Sequence, residues 1–492
     1  MKHVKNLLVY FLLFTMLFSL ISCGSPNTSG NAATTQAAAT TSAATTAAQT
    51  TAEQTTAAQT TTAEQTTTAE QTTAEQTTAA ETTTAQVAAG EPVTLSIIHE
   101  FTKDFTNVFV DSQAFVAMVE LFRQTYPEVD LQEEIIDPAD TANKIITLGA
   151  ANSLPDIVYM NSPMCERFAR SGQLNDFTGK WDFSNYREGA ADKYYYQGKL
   201  YGIPQRYTPY NLCFYNSEMW AAAGYPDFAK TWDEVFEADK YFKQQGIYAI
   251  ALGNQEKWVA VSCYLSGIVE ENCGTDWLNS IFANDGTAKF TDKGFVDSLT
   301  RLASLSSLMN PDYNSVVVTG VDAYYLNEKA ATIIEGGPKT SALQSQVDEY
   351  PDVIAKTRVA AFPGENSAMT KVVCSFPWAI GSSSKNPEGS PEYDYVWKFI
   401  EIMCGPEFTE FCVEGGEVGP RFLDADTSGL PLLKQSYLAF LAEAGGSCQT
   451  IDSGTDASVK SVMENVCQSV LDGSISPEDA AAQIQATQDN IG

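Results

Sequence analysis

Histidine is almost absent from this 492-residue chain: it occurs only as His3 and His99. His3 lies in a segment typical of a removable leader, so His99 alone remains in the rest of the chain. A zinc site with two or more histidine ligands is therefore excluded, and a Ser-His-Asp triad would have to use His99. His99-Glu100 also lacks the second histidine of a His-Glu-x-x-His motif. We predict no metal site and no cofactor.

Basic side chains are also scarce, because 29 Lys and Arg stand against 61 Asp and Glu, for a formal net charge of −32. Six of the acids lie in residues 23–91, so 55 remain in the rest of the chain, against 27 Lys and Arg. Such a surface repels nucleic acid and anionic lipid headgroups. We predict no nucleic-acid partner, and we interpret the acidity mainly as a solubility feature of an exported protein.

The first 23 residues are typical of an export leader. Residues 1–5 are basic, and the apolar run from Leu7 to Ile21 is shorter than the roughly 20 residues that a spanning helix needs. Its end, Leu20-Ile21-Ser22-Cys23, resembles a bacterial lipobox, in which the chain is cut before a cysteine that carries acyl chains such as palmitate. We predict a signal peptide over 1–22 and a lipid anchor on Cys23. An ordinary signal peptide or a short membrane anchor is the alternative.

Large apolar side chains are missing from residues 31–88, which consist almost entirely of Thr, Ala, Gln and Glu. Such a segment buries too little surface to offset the entropy of ordering, so we predict a disordered tether over 23–91. A flexible chain of this length spans about 40 to 50 Å between its ends. A flexible tether of this length suits a domain that is held away from the extracellular face of the cell membrane.

No Cys-x-x-Cys motif occurs among the ten cysteines, which excludes zinc-ribbon and thioredoxin-like sites. With Cys23 assigned to lipid, nine cysteines remain, an odd number that cannot all pair. Two pairs are close enough in sequence to form disulfides in an oxidising compartment, Cys263 with Cys273 and Cys404 with Cys412. Buried free thiols are the alternative.

Beyond residue 91 about 400 residues remain, which is enough for two hydrophobic cores. The pattern at the start of this part alternates between strand and helix. It predicts strands over 93–98, 129–136 and 154–160, a helix that carries Phe115, Val119, Phe122 and Tyr126 on one face, and a second helix over 141–151. This alternation indicates the α/β class with a mostly parallel sheet. Polar residues just beyond the strand ends are candidates for ligand binding, namely His99, Glu100, Asn161 and Ser162.

Two helix starts and one further strand are signalled later in the chain. Thr231-Trp232-Asp233-Glu234 predicts a capping box, and Ser476-Pro477 predicts an N-cap with proline in the first turn. A strand is predicted over 247–252, followed by the polar segment that ends at Trp258.

Several segments form an ordered set of motifs along the chain. The most specific is Gly198-Lys199-Leu200-Tyr201-Gly202-Ile203-Pro204 followed by Phe214-Tyr215-Asn216. The others are Pro155 to Tyr159, Ser171 to Asp176, Thr231 to Glu234, Ala330 to Gly337 and Ser474 to Ile491. In this order the segments resemble the bacterial extracellular solute-binding lipoproteins of ABC importers, in the branch that includes maltose-binding protein. Many relatives carry an aromatic residue directly after the glycine that corresponds to Gly336, whereas this chain has Gly337-Pro338 there.

The resemblance implies a two-lobe periplasmic-binding-protein-like fold of type II, with a ligand cleft between the lobes. It implies no chemistry on the ligand, so the chain is expected not to be an enzyme. We predict one lobe over 92–208 and 372–408, and the other over 209–371 and 409–492. The expected partners are a carbohydrate and the transmembrane subunits of an ABC permease, and the protein is expected to be a monomer.

Sugar sites combine aromatic platforms for C–H faces with carboxylate and amide groups for hydroxyls. The resemblance implies ligand-facing positions at Trp258 and Trp378, and the first crossing between lobes carries Tyr207 and Tyr210. Each of these aromatics has an alternative role in core or hinge packing. Hydrogen bonds to hydroxyls are expected from Asn161, Ser162, Glu100 and Glu335, which alternatively cap strands and loops.

The leading hypothesis is a lipid-anchored receptor that captures a mono- or oligosaccharide and delivers it to a permease. A secreted carbohydrate-active enzyme is a second hypothesis, since 55 acids offer many carboxylate pairs for glycoside hydrolysis. A receptor for another solute, such as a peptide or a polyamine, is a third.

Overall fold

The computed structural model of the protein describes residues 93–423 and 425–491. The predicted signal peptide, the lipid anchor on Cys23 and the predicted tether lie outside the described residues. Within the described ranges, no helix is both long enough and apolar enough to cross a membrane.

The strands of the described residues are short, and most are buried on both faces. In chain order they are β1 Val93–His99, β2 Val129–Ile135, β3 Ile157–Met160, β4 Tyr195–Tyr196, β5 Lys199–Leu200, β6 Ile203–Pro204, β7 Thr208–Pro209, β8 Leu212–Asn216, β9 Thr332–Glu335, β10 Thr357–Ala360, β11 Val372–Ser375, β12 Ala379–Ser382 and β13 Ser447–Gln449.

Helices surround these strands. In chain order they are α1 Lys103–Val108, α2 Val110–Thr125, α3 Pro138–Ala150, α4 Ser162–Arg170, α5 Ser217–Ala222, α6 Trp232–Gln245, α7 Ser266–Cys273, α8 Thr275–Ala283, α9 Lys293–Leu305, α10 Asp322–Leu326, α11 Lys339–Gln344, α12 Pro351–Lys356, α13 Pro391–Met403, α14 Pro406–Glu414, α15 Leu432–Glu443, α16 Ile451–Gly454, α17 Ala457–Leu471 and α18 Pro477–Gln488. Within the described ranges, two 3₁₀ helices span Asp192–Tyr194 and Ser306–Leu308, and a π-helix spans Ala260–Leu265.

The first lobe is built on a mixed sheet with the strand order β2-β1-β3-β12-β6. β1 runs parallel to β2 and β3, as predicted, whereas β12 runs antiparallel to both β3 and β6. Helix α2 packs on this sheet through Phe115, Val119 and Phe122, the apolar face that its sequence spacing predicted. All four residues of β3 are buried, which is typical of a central strand covered on both faces.

The second lobe contains a three-stranded antiparallel sheet with β8 between β10 and β9. Its main core includes Trp220, Trp232 and Phe242 from the first part of the lobe, together with Met463 and Ile484 from the last two helices. A smaller third core lies on the other side of β8 and includes the fully buried Phe214 and Tyr437.

The chain crosses between the lobes near three places, where the core to which its residues belong changes. These changes occur between Ile203 and Tyr207, between Cys374 and Ala379, and between Cys412 and Val418. The first two crossings pair with each other, because β7 lies antiparallel to β11. β13 adds to β11 in parallel and completes a small sheet at the junction. The lobe boundaries given above stay a prediction.

Two predicted helix starts are confirmed. Thr231 and Glu234 form the reciprocal capping box of α6, and Ser476 accepts a hydrogen bond from the Asp479 amide at the start of α18. Helix α6 ends at Gly246, whose φ of 70° is the left-handed conformation that favours glycine at this position.

The predicted strand over 247–252 is wrong as a regular strand. The segment is buried at residues 249–252, but its bridges go to two different partners. Tyr248 and Ala251 pair with Ala330 and Ile333, whereas Ile250 pairs with Met309. Because the pairing divides between two neighbours, no continuous ladder forms.

The nine cysteines among the described residues are all free thiols. Cys263 and Cys273 lie ten residues apart on consecutive helical segments, which separates them by about 15 Å along the helix. A disulfide needs Cα atoms within about 7 Å, so this pair does not bridge. Cys404 and Cys412 are buried and also free, so the alternative of free thiols is the one observed, and all of those described except the partly exposed Cys273 are buried.

Glu417 lies in the third crossing and is buried at the junction of the lobes. Its Oε1 accepts a hydrogen bond of 2.6 Å from Ser341 Oγ on α11. Burial raises the pKa of Glu417 to about 8; the Ser341 hydrogen bond opposes this shift and the nearby Asp111 adds to it. The folded protein therefore holds a proton that an unfolded glutamate, with a pKa near 4.5, releases at neutral pH.

We expect Glu417 to make the folded protein less stable as the pH rises. Its contribution is complete below about pH 4.5 and is lost as the pH rises through about 8, because the folded state binds the extra proton in that window. Glu417→Gln stays neutral, so the variant should gain up to a few kcal/mol over the original chain between pH 5 and pH 9. Urea unfolding at pH 5, 7 and 9 measures this difference. Parallel pH profiles for the two proteins would rule out the titration of Glu417.

Candidate functional site

Trp258 is presented by a loop that the backbone holds in one conformation. Gly253 starts this loop, and a Cβ there would lie 2.6 Å from the Val317 carbonyl oxygen, so no other residue fits without movement. Asn254 is fully buried, and its Oδ1 accepts from the Ala260 amide at 3.1 Å. Lys257 has a φ of 72°, a left-handed conformation that costs free energy in a lysine. The loop therefore fixes Trp258, whose side chain is partly exposed, as a preorganised surface group.

The π-helix Ala260–Leu265 begins two residues after Trp258. Such insertions are rare and occur frequently at functional sites, because they place a side chain outside the regular helical spacing. Here the π-helix carries Ser262, whose hydroxyl donates to Asp452 Oδ2 at 3.0 Å.

Tyr210 packs beside Trp258, with ring centres 6.2 Å apart in an edge-on arrangement. Its hydroxyl lies 3.4 Å from Ser375 Oγ, at the end of β11 in the second crossing. Burial raises the pKa of Tyr210 to about 12, so its hydroxyl is neutral at physiological pH and is able to donate. Two of the predicted aromatics thus meet in one place, next to the point where the chain passes between the lobes.

The structure explains why no aromatic residue follows Gly336. A Cβ on Gly336 would lie 3.1 Å from Tyr210 Cδ1, and one on Gly337 would lie 2.4 Å from the Tyr437 hydroxyl. There is consequently no room for an aromatic side chain at 337, and the ring of Tyr210 occupies the space beside these glycines.

Trp258, Tyr210 and the polar groups beside them form what we call the second-lobe wall. Asp452 is a buried carboxylate of this wall. It is 3% exposed, and its Oδ2 also accepts from Lys460 Nζ at 3.0 Å. Its Oδ1 is enclosed and has no hydrogen-bond partner among the described residues. Asp452 and Lys460 both act electrostatically on Tyr210, which brings this cluster to the same wall. An enclosed carboxylate oxygen without a donor is costly unless a ligand supplies one.

Glu335 is the last residue of β9 and forms an ion pair. Lys339 Nζ contacts Glu335 Oε2 at 2.9 Å and Asp322 Oδ1 at 2.6 Å. Burial raises the pKa of Glu335 to about 7, and Lys339 opposes that shift. A direct contact between Glu335 and the ligand stays a prediction.

In the first lobe, Trp378 lies flat on Tyr159, with ring centres 4.4 Å apart and an interplanar angle of 5°. Tyr159 is fully buried in β3, whereas Trp378 is partly exposed. Because one indole face is covered by Tyr159, only the other is free to meet a ligand. The pairing of Met160 with Ala379 brings Asn161 alongside Trp378.

Asn161 and Ser162 start helix α4 and remain partly exposed. The Asn161 side chain caps this helix, since its Oδ1 accepts from the Met164 amide at 3.1 Å. Its side-chain nitrogen donates in none of the hydrogen bonds found among the described residues. Contact between these two residues and a ligand stays a prediction.

Trp378, Asn161 and Ser162 form what we call the first-lobe wall. Glu100 is also in the first lobe, where it is buried and forms an ion pair with Arg206. Arg206 bridges two carboxylates. Its Nη1 lies 2.8 Å from Glu100 Oε1, and its Nη2 lies 2.7 Å from Asp111 Oδ2. Burial raises the pKa of Glu100, while the charge of Arg206 opposes the rise. Glu100 therefore has a structural partner, and its role toward a ligand stays a prediction.

Tyr207 is separated from the other predicted aromatics. It is buried in the third core, with its ring 5.2 Å from Phe376 and with the Arg187 guanidinium 4.5 Å above it. These contacts give Tyr207 a packing function at the junction of the lobes. Its contact with a ligand also stays a prediction.

His99 is fully buried, and each of its ring nitrogens has a partner. Its Nε2 lies 2.9 Å from Glu133 Oε2, and its Nδ1 accepts from the Phe101 amide at 3.2 Å. Among the described residues, no group of His, Cys, Asp and Glu side chains has the arrangement of a metal site.

Sequence reasoning missed Arg206 and Asp452. Asp452 lies three residues after the end of a three-residue strand that the sequence does not signal, and its partner Ser262 is 190 residues away. Arg206 lies in the recognised first crossing, two residues after Pro204, but its two carboxylate partners are about 100 residues upstream. A basic residue in a crossing segment of an acidic chain was the available signal.

A surface groove of about 490 Å³ lies elsewhere, and it is lined mainly by residues 413–444 together with Arg187. It contains none of the eight predicted ligand residues.

The sequence profile described as bacterial extracellular solute-binding protein matches residues 107–410, and the chain belongs to this family. A multiple sugar-binding protein of Streptococcus mutans is 21% identical over 327 residues, which cover 65% of this chain and 74% of that protein.

Two solved structures have the same fold. A chitin oligosaccharide binding protein aligns with a TM-score of 0.69 at 20% identity, over 81% of this chain and 99% of its own. The sugar-binding protein MalE of Xanthomonas citri aligns with a TM-score of 0.64 at 20% identity, over 81% of this chain and 97% of its own. The two-lobed type II fold of solute-binding proteins, predicted from the sequence, is thereby confirmed.

Proposed function

We propose that this chain is the lipid-anchored substrate-binding protein of an ABC importer. It captures a mono- or oligosaccharide in the cleft between its lobes and delivers it to the transmembrane subunits of a permease. It works as a monomer at the extracellular face of the cell membrane, held by acyl chains on Cys23, and it does not alter its ligand.

The observation that carries this proposal is the combination of aromatic and polar groups on the two walls. Trp258 beside Tyr210 and Trp378 on Tyr159 offer partly exposed rings to the C–H faces of a sugar. Asp452 Oδ1 has no donor among the described residues, and it would accept a hydrogen bond from a sugar hydroxyl once the bound ligand opens access to it. The sugar-binding relatives described above support the same class of ligand.

The crossings suggest how binding is coupled to closure. The first two crossings adjoin β7 and β11, which are two and four residues long and pair over two positions. Short crossing strands of this kind absorb a hinge rotation while each lobe core moves as a unit. A ligand that contacts Trp258 and Trp378 together binds the closed form better, and it therefore shifts the population toward that form.

Calorimetric titration of the purified chain tests the proposal. The panel comprises neutral and acidic oligosaccharides, monosaccharides, amino acids, short peptides and polyamines. We expect saturable binding of at least one sugar, with a dissociation constant in the micromolar range or tighter, and recovery of the sugar unchanged. Release of new reducing ends would favour the enzyme hypothesis. Binding confined to a peptide or a polyamine would reject the carbohydrate proposal.

A further inference from the structure

Lys193 belongs to the 3₁₀ helix Asp192–Tyr194, which packs in the first lobe beside the segment that carries Trp378. The next residue, Tyr194, is fully buried, and its hydroxyl donates to the Phe376 carbonyl at 2.7 Å in the second crossing. The Tyr194 carbonyl in turn lies 3.8 Å from the Cys165 thiol on α4. Lys193 is therefore held between the helix that begins at Ser162 and the segment that carries Trp378.

The side chain of Lys193 reaches the second lobe. Its Nζ lies 4.6 Å from the centre of the Phe282 ring on α8. Phe282 covers α16, because a Cβ on Gly454 would lie 2.2 Å from Phe282 Cε1. Asp452 belongs to the same short helix as Gly454. The ammonium group thus ends at the seam between the lobes, next to the segment that carries Asp452.

The charge of Lys193 is not neutralised by a contact ion pair. None of the ion pairs among the described residues includes it, although the chain has about twice as many acids as bases. The nearest acids are Asp192 on its own short helix and Glu166 on α4; their fields oppose the lowering of its pKa by burial.

Three other cations near the two walls are each compensated by carboxylates. Lys339 binds Asp322 and Glu335, and Lys460 binds Asp452 and Glu464. Arg206 is likewise held between two carboxylates. Lys193 differs from these three because it faces an aromatic ring rather than a carboxylate. A partly desolvated cation without a counter-charge is costly, and an anionic group of a ligand would remove that cost.

Resting on the proposed function, we propose that Lys193 determines specificity for an acidic sugar and binds a carboxylate of the cargo, as in an oligosaccharide that contains a uronic acid. The net charge of −32 repels such an anion at long range, so its selection requires a local cation at the point of contact. A charge-assisted hydrogen bond to an ammonium group is worth about 1.5–3 kcal/mol, which corresponds to roughly tenfold to a hundredfold in affinity.

The test uses matched pairs of sugars in calorimetric titrations of the full chain. Digalacturonic acid is compared with galactobiose, and xylotriose carrying one glucuronic acid is compared with plain xylotriose. We expect one acidic member to bind at least about tenfold more tightly than its neutral partner. Lys193→Met should reduce this preference to less than about twofold, whereas Lys193→Arg should retain most of it. Thermal unfolding of the three proteins checks that they are folded alike.

The outcomes separate this inference from the proposed function. Neutral sugars that bind as tightly as the acidic ones would overturn the inference and leave the receptor intact. An equal loss of affinity for both members of a pair in Lys193→Met would make Lys193 a closure contact only. A preference that survives in Lys193→Met would assign the carboxylate to another residue. Binding of no sugar at all would overturn the proposed function, and this inference with it.

Discussion

Trp258→Ala should weaken sugar binding about a hundredfold while leaving the unfolding midpoint of the empty protein nearly unchanged. An indole ring that covers a sugar face removes on the order of 100 Å² of apolar surface from water, which is worth about 2.5 kcal/mol. The empty protein loses little, because Trp258 is partly exposed and its loop is held by the buried Asn254. Calorimetric titration and thermal unfolding of the same sample measure both quantities.

Two control variants sharpen this prediction. Trp258→Phe keeps an aromatic face and should recover most of the affinity. Trp277→Ala removes a partly buried indole of the same lobe that stacks on Phe295 and donates to Asp292 at 2.9 Å. That variant should lose stability but keep its affinity. Unchanged sugar binding in Trp258→Ala would remove Trp258 from the site.

Arg206→Met should destabilise the fold by about 3–5 kcal/mol, the largest loss of stability expected for a residue near the site. The substitution leaves the carboxylates of Glu100 and Asp111 without the guanidinium that contacts both. Removing one partner of a buried ionic cluster is more costly than removing the whole cluster, because the remaining charges stay desolvated. Urea unfolding near pH 7.5 measures the loss.

The pH dependence of the Arg206→Met variant distinguishes this cause from a simple packing defect. Without the cation, burial raises the pKa of Glu100 further, so the carboxyl takes up a proton in the folded state as the pH falls. The stability deficit should therefore be smaller at pH 5 than at pH 8. Arg170→Met removes an exposed ion pair with Glu166 on one helix face and should change the stability far less than Arg206→Met. Equal deficits for the two variants would contradict this account of Arg206.

The helices that the sequence predicted have local signals. An apolar face repeats along α2, Thr231 and Glu234 cap α6, and Ser476-Pro477 starts α18. The predicted strand over 247–252 is wrong because its pairing depends on two distant segments, at residue 309 and at residues 330–333. Local apolar pattern predicts burial there but does not determine which neighbours share the backbone hydrogen bonds.

The candidate site is less accessible to sequence reasoning than the fold. The sequence indicated Trp258 and Tyr210 separately, and their contact appears only in the folded chain. Glu100 was predicted from its position after a strand and Glu335 from the family resemblance, but each is paired with a buried cation that lies far away in sequence or on the next helix. Asp452 is held by Ser262, which lies 190 residues away in sequence, and its other carboxylate oxygen has no hydrogen-bond partner among the described residues. Charge compensation of this kind is a long-range property of the folded chain.

A crystal structure of the chain with its tightest-binding sugar tests the central claim most directly. The account predicts one sugar held between the lobes, with its C–H faces on Trp258 and Trp378 and a hydroxyl within about 3 Å of Asp452 Oδ1. A sugar bound outside this cleft, for example in the groove beside Arg187, with both indoles free, would contradict it.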